Sequence, residues 1–364
     1  MGGSFRLGTV LGIPIRVHFT FLILLAFLFF SASSESGPRS GLMTLLFILL
    51  LFGCVLLHEL GHCVVALRFG VSITSITLYP FGGVALLTDV PREPLKEILI
   101  AIAGPVVNFI LAGGLILLAS LGSGVGATAL DLTSLAAQSP LRGLILANLT
   151  LGAFNLLPAY PMDGGRILRG ILATRLPYAV ATRHAARIGK VFGALFVLGG
   201  IYFQNWWLPI LGVFVYIGAN SEEQATLFHT ALEGLTVRDL MVTTFEVFSP
   251  SELLDDALRR SLHTLQDDFP IVRNGEFLGV LTRSRMVEAL RDAGGSQYVQ
   301  GLSQRVVEKV CPGDSVREAL RRMHAQRLSL LPVMEEDRFL GIVTLSGILR
   351  GASLLASQPS ESQR

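Results

Sequence analysis

Hydrophobic and polar positions divide this chain unevenly. Residues 19–30 (FTFLILLAFLFF) and 41–57 are apolar or small throughout, and the second stretch runs straight into His58. No charge occurs over residues 98–130, 143–162 or 191–221. A spanning helix needs about 20 residues for about 30 Å of hydrocarbon, so these stretches predict membrane-crossing helices. As one helix the last would be about 46 Å long. Gln204, Asn205, Trp206, Trp207 and Pro209 interrupt it where a turn with interfacial tryptophans belongs. Two short helices there bring the expectation to six spans. Beyond residue 221 the pattern changes to short apolar strands, amphipathic helices and turns such as Asn274-Gly275.

Charge sharpens the division. Residues 1–220 hold 13 Lys/Arg and 7 Asp/Glu, whereas residues 221–364 hold 16 and 20. Only the second half reaches the roughly 25% charge of a soluble domain. The expected organisation is a polytopic α-helical membrane domain over 1–220, a linker over 221–234, a soluble α/β module over 235–352, and a disordered polar tail over 353–364. With the N-terminus inside, Arg6, Arg16, Arg68, Arg92, Lys96, Arg166, Arg169, Arg175, Arg183, Arg187 and Lys190 fall on the cytoplasmic side. Only Arg39 and Arg142 fall outside, which satisfies the positive-inside rule. Six spans then return the soluble module to the cytoplasm of a multi-pass cell-membrane protein. A cleaved signal peptide ending near Ser31-Ala32-Ser33 is the rival for the first span. The net charge of +2 excludes a strongly basic nucleic-acid binder. Cys54, Cys63 and Cys311 form no disulfide framework and no CxxC pair.

One motif carries chemistry: His58-Glu59-Leu60-Gly61-His62. Helix positions i and i+4 share a face, so both histidines can converge on one metal. Glu59 can then reach a water on that metal, the HExxH arrangement of zinc peptidases. The bland alternative, interfacial histidines beside a snorkelling glutamate, leaves three ionisable groups at a spanning run without a function. Catalytic zinc takes three protein ligands and one open position, so a further ligand is needed. The second polar cluster among apolar runs is Asn155-Leu156-Leu157-Pro158-Ala159-Tyr160-Pro161-Met162-Asp163-Gly164-Gly165-Arg166, whose Asp163 is the only acid between Asp131 and Glu222. Taken alone, this cluster is either a ligand-bearing loop or a loop closing the fourth span.

Together with Gly104-Pro105-Val106-Val107-Asn108, these motifs resemble the site-2 protease family of intramembrane zinc metalloproteases across residues 1–220. The resemblance implies one Zn2+ held by His58, His62 and Asp163, with Glu59 as general base. It places Asn108 and Asn155 near the substrate or metal cavity, although Asn108 is equally a candidate for helix–helix glue. Pro80-Phe81-Gly82-Gly83-Val84 looks like the family's membrane-embedded strand and loop, and Gly82 and Gly83 offer bare backbone for an extended substrate. The implied substrates are transmembrane segments of other membrane proteins within the bilayer. His18 fits the family pattern but reads more simply as an interfacial histidine.

The soluble half repeats itself at an offset of 62. Ala257-Leu258-Arg259-Arg260 recurs as Ala319-Leu320-Arg321-Arg322, and Phe277-Leu278-Gly279-Val280-Leu281-Thr282 as Phe339-Leu340-Gly341-Ile342-Val343-Thr344. One unit cannot cover its own sheet, so the two should pack as a pair. The pattern resembles a tandem CBS module, which often binds adenine nucleotides and implies a homodimer. Arg285 and Gly347 stand where that family commonly has a ribose-binding acid. A weak nucleotide site involving Thr282, Arg285 and Thr344 and a purely structural or dimerising module therefore both remain open. The leading reading is an intramembrane zinc endopeptidase carrying a regulatory CBS pair. Its rival is a CBS-gated ion transporter or channel using the His/Asp cluster as an ion path.

Overall fold

Strand β1 (Ser4–Val10) turns back into β2 (Ile13–His18), which alternates buried Ile13, Ile15 and Val17 with half-buried Pro14, Arg16 and His18. His18 ends that strand and caps helix α1 (Phe19–Ser36), its ring nitrogen accepting from the Thr20 amide. Gly37, at φ +85°, ends α1, and Pro38 opens α2 (Pro38–Arg68). Proline suits a first helical turn because that turn needs no amide donor. In this computed structural model, residues 3–80, 82–87, 92–123, 140–264, 266–304, 308–326, 328–336 and 338–357 are described. The chain divides into two units, Met1–Gln224 and Ala225–Arg364.

In the first unit, β3 (Ile73–Tyr79) and β4 (Gly82–Leu87) complete a sheet of order β1-β2-β3-β4. The β2–β3 pair is parallel and the others antiparallel, leaving β4 at an edge. One face of the sheet packs Ile13, Ile15 and Ile76 against Leu56, Leu60 and Cys63 of α2. Helices α3 (Pro94–Ser123), α4 (Pro140–Asn155), α5 (Asp163–Ala173), α6 (Tyr178–Tyr202) and α7 (Trp207–Ala231) follow. Among the described residues, four helices are long and apolar enough to cross a membrane: Phe19–Ser36, Pro38–Arg68, Pro94–Leu121 and Tyr178–Tyr202. Phe27, Leu118 and Ile201 stay exposed on these helices, as lipid-facing positions do because hydrocarbon removes the drive to bury them. The stretch 191–221 divides between α6 and α7 at residues 203–206. Helix α4 has 16 residues, and α7 carries the polar run Ser221-Glu222-Glu223-Gln224 within its length, so neither qualifies by length and composition. Residues 124–130 of the third apolar stretch lie outside the described residues.

The second unit displays its repeat directly. Short α8 (Val237–Leu240), α9 (Leu254–Ser261), β5 (Asp268–Arg273), β6 (Glu276–Thr282) and α10 (Arg283–Ala293) form the first copy. The second comprises α11 (Val299–Leu302), α12 (Val316–Gln326), β7 (Leu330–Glu335), β8 (Arg338–Thr344) and α13 (Leu345–Ser357). Corresponding elements begin 62 residues apart throughout. The copies exchange their leading segments: Val242 bridges Ile342 of β8, and Gln304 bridges Val280 of β6. Val237 is accordingly buried in the core of the second copy and Val299 in that of the first. The disordered tail expected from residue 353 needs correction at its start. Helix α13 runs to Ser357 because Ile348 and Ala352 on its inner face are buried; residues 358–364 lie outside the described residues.

Candidate metal centre

Helix α2 presents His58 and His62 one turn apart on its inward face, 4% and 8% exposed. Their rings meet edge to face at 86°, and their Nε2 atoms lie 3.1 Å apart. Asp163, the first residue of α5, brings Oδ2 to 3.3 Å from His58 Nε2 and 3.2 Å from His62 Nε2. Residues more than a hundred positions apart thus meet at one point. Among the described residues, this is the one cluster of three that could hold a metal ion.

The hydrogen bonds behind the rings decide what the cluster can hold. His62 Nδ1 donates to the Ile100 carbonyl at 2.7 Å. His58 Nδ1 meets Asn108 Oδ1 at 2.6 Å. The orientation of Asn108 follows from its own neighbours: Asn148 Nδ2 donates to the Leu144 carbonyl at 2.9 Å, which turns Asn148 Oδ1 toward Asn108 Nδ2 at 3.3 Å. Asn108 therefore offers oxygen to His58, and both Nδ1 atoms carry hydrogens. Neutral imidazoles so arranged have no N–H to share on the inner side, and buried Asp163 Oδ2 makes no hydrogen bond. Three acceptor atoms converge with edges of 3.1–3.3 Å. Ligands about 2.0–2.1 Å from a tetrahedral zinc stand about 3.3 Å apart. The donor set and its spacing fit that ion.

Two close backbone approaches complete the centre. A Cβ at Gly104 of α3 would overlap both imidazoles, so only glycine lets α3 lie across the histidine rings. A Cβ at Gly83 of β4 would stand 2.6 Å from Glu59 Cγ, so the edge strand rests directly on the half-buried Glu59. Gly82 opens β4 at φ +141°. Phe81 lies outside the described residues. Asn108, fully buried, is engaged with His58 and Asn148. Asn155 ends α4 half-buried and makes no hydrogen bond to the cluster.

Sequence reasoning passed over two contributors. Asn148 orients Asn108, and its signal was an amide, one of two with Asn155, within the charge-free run 143–162. Arg169, read as a charge in a cytoplasmic loop, is instead 3% exposed and paired with Glu97 of α3 and Glu222 of α7. No local pattern separates a buried arginine from a solvated one when its partners lie 72 and 53 residues away.

In the second unit, a cavity of about 1360 Å³ is lined by Thr282, Arg285, Arg291, Asp268, Ser329 and Ser346, among others. Thr282 Oγ1 accepts from the Arg285 amide at 3.2 Å, and Arg285 pairs with Glu288 at 2.7 Å. Thr344 is not part of the lining; its hydroxyl accepts from the Gly347 amide at 3.0 Å. Both threonines therefore cap the helices that follow them.

The sequence profile of peptidase family M50 matches residues 46–199, and that of the CBS domain matches residues 237–292 and 299–353. A zinc metalloprotease of Methanocaldococcus jannaschii is 33% identical over 358 residues, covering 98% of both chains. Stage IV sporulation protein FB of Bacillus subtilis is 34% identical over 148 residues, covering 40% of this chain and 46% of its own. Among solved structures, a site-2 protease from Methanocaldococcus jannaschii shares 39% identity, with a TM-score of 0.46 over 60% of this chain and 95% of that one.

Proposed function

The chain belongs to peptidase family M50, the site-2 type of zinc metalloprotease, with a CBS pair behind it, and from that membership we propose that it cuts transmembrane segments of other membrane proteins. The observation that carries the reading is the convergence of His58, His62 and Asp163 beside Glu59 and an edge strand.

In this reading His58 Nε2, His62 Nε2 and Asp163 Oδ2 hold one zinc per chain. Bound there, zinc would bring the pKa of a coordinated water to about 7 and polarise a carbonyl oxygen. Asn108 and the Ile100 carbonyl hold the imidazole tautomers so that both Nε2 lone pairs face inward. Glu59 takes a proton from the attacking water and delivers it to the leaving amine. The free edge of β4, bare at Gly82 and Gly83, accepts the substrate as an added strand over Glu59. Only an unwound substrate can pair in this way, because an intact helix spends its carbonyls on internal hydrogen bonds. Glycine and proline within the substrate span therefore favour cleavage.

The reading extends to six spans, with α4 and α7 joining the four helices that are long and apolar enough on their own, and to a cytoplasmic N-terminus and CBS pair, supported by the loop charges. The CBS pair serves as a dimerising and regulatory module. Its cavity, with Arg285 and Arg291 on the wall, accepts an anionic ligand such as an adenine nucleotide weakly; Thr282 and Thr344 serve as caps.

Zinc content and cleavage of a reconstituted transmembrane substrate test the core of this proposal. Glu59→Gln keeps zinc and loses at least about 10²-fold in rate, as removal of a general base does. Asp163→Ala loses zinc. Normal cleavage by Glu59→Gln overturns the mechanism, and full zinc retention in Asp163→Ala removes that residue from the ligand set. Calorimetry with millimolar AMP, ADP and ATP decides the nucleotide reading.

A further inference from the structure

Arg169 has no role in the chemistry above, yet it is the one lysine or arginine that is buried among the described residues. Its guanidinium is buried, with Nε donating to Glu97 Oε1 at 2.7 Å and Nη2 meeting the same oxygen. Nη1 donates to Glu222 Oε1 at 2.8 Å. The guanidinium carbon lies 5.4 Å from the Tyr160 ring centroid and 4.8 Å from that of Tyr178. An arginine held by carboxylates at its edge and by aromatic rings at its faces is fixed in both position and plane.

What it fixes is the metal centre. Asp163 opens α5, and Arg169 follows six residues later on the same short helix, about 9 Å along its axis. Glu97 lies on α3 one turn before Ile100, whose carbonyl orients His62. Further along α3 come Gly104, across both histidine rings, and Asn108, bonded to His58. One guanidinium therefore joins the helix that carries the third ligand candidate to the helix that sets both imidazoles. Gly164 and Gly165 pack against the backbone of residues 156–160, a segment that includes Tyr160. The N-terminal turn of α5 thus has little freedom once Arg169 is seated. Glu222 brings α7 into the same joint.

We infer that Arg169 is a positioning residue for the metal centre: its pairing with Glu97 sets the register of α5 against α3 and so holds the Asp163 carboxylate on the two histidines. The inference rests on Asp163 being the third ligand.

The test uses the full-length protein in nanodiscs, with zinc affinity read by chelator competition and coordination read from the visible spectrum of the cobalt-substituted form. Arg169→Gln should raise the zinc dissociation constant about 10–100-fold, the usual cost of losing a group that orients metal ligands. At saturating metal it should shift the cobalt bands and lower kcat with little change in KM. Arg169→Lys, which keeps the charge but not the planar fork, should fall between Arg169→Gln and the unsubstituted protein. Because Arg169→Gln leaves Glu97 buried and unpaired, the double variant Arg169→Gln/Glu97→Gln guards against simple misfolding. It should recover the melting temperature and keep the weakened zinc affinity. Unchanged zinc affinity and cobalt spectrum in the double variant would overturn the proposal. Asp163→Ala, measured alongside, separates the two ideas: if it loses zinc while the Arg169 variants do not, the ligand reading stands and the positioning role falls. If it retains zinc, the ligand reading itself falls and carries the positioning role with it.

Discussion

The membrane unit and the soluble unit handle buried polarity in opposite ways. Among the described residues, the first buries Ser75, Thr77 and Thr182 and also His58, His62, Glu97, Asn108, Asn148 and Arg169, and the latter six join into the metal cluster and the joint behind it. The second buries only Thr226 and Ser261. Its charges pair at the surface instead, as in Arg260 with Glu246 and Glu252, and Glu318 with Arg321 and Arg322. In hydrocarbon a polar side chain without a partner costs several kcal/mol, so those that persist mark function. In water the same residue types are cheap, and they serve as caps and surface pairs. A polar residue in the first unit is therefore far more informative than one in the second.

Four measurements break or sharpen this contrast. The largest effect belongs to the soluble core. Leu331, fully buried, should cost about 2–5 kcal/mol of that unit's stability when changed to Ala, while zinc content stays unchanged. Loss of zinc in Leu331→Ala would show that the two units do not keep separate accounts of stability. Next come the buried amides. Asn108→Ala should weaken zinc binding about 10–100-fold, with Asn148→Ala nearer the lower end because it acts through Asn108. Unaltered zinc affinity in Asn108→Ala would reduce that residue to helix packing. Smaller still, Thr282→Ala and Thr344→Ala should each cost about 1 kcal/mol as lost helix caps, with cleavage and zinc untouched. A change in cleavage would return the threonines to the list of functional groups.

The smallest effect is a pH dependence. Burial raises the Asp268 carboxyl above its ordinary value, against a hydrogen bond from Ser329 that lowers it. A raised carboxyl binds its proton more tightly in the folded than in the unfolded state. The contribution from Asp268 is thus present in full below the ordinary carboxylate range and lost as pH rises through the raised value. Glu318, lowered by hydrogen bonds from Arg321 and Arg322, works in the opposite direction, losing its contribution as pH falls through its folded value. Melting curves of Asp268→Asn against the unsubstituted protein should differ in slope across the acidic range and converge at the low end. Identical slopes would remove Asp268 from the balance.

Local information carried much of this protein. Charge-free runs marked the helices, the His-Glu-x-x-His spacing placed two imidazoles on one face, and the offset of 62 foretold two copies of one soluble unit, because helix periodicity and repeats are written within a few dozen residues. Longer-range facts were not legible. The break between α6 and α7 was visible in Asn205 and Pro209, but the 16-residue length of α4 was not, since an apolar loop and an apolar helix read alike. The exchange of leading segments between the copies and the burial of Arg169 both depended on partners distant in sequence. So did the meeting of Asp163 with residues 58 and 62: the sequence could nominate that acid, but only the packing of α5 against α3 brings its oxygen within 3.3 Å of both nitrogens. Spacing along a helix is geometry the chain carries within itself; the distance between two helices exists only once their side chains have packed.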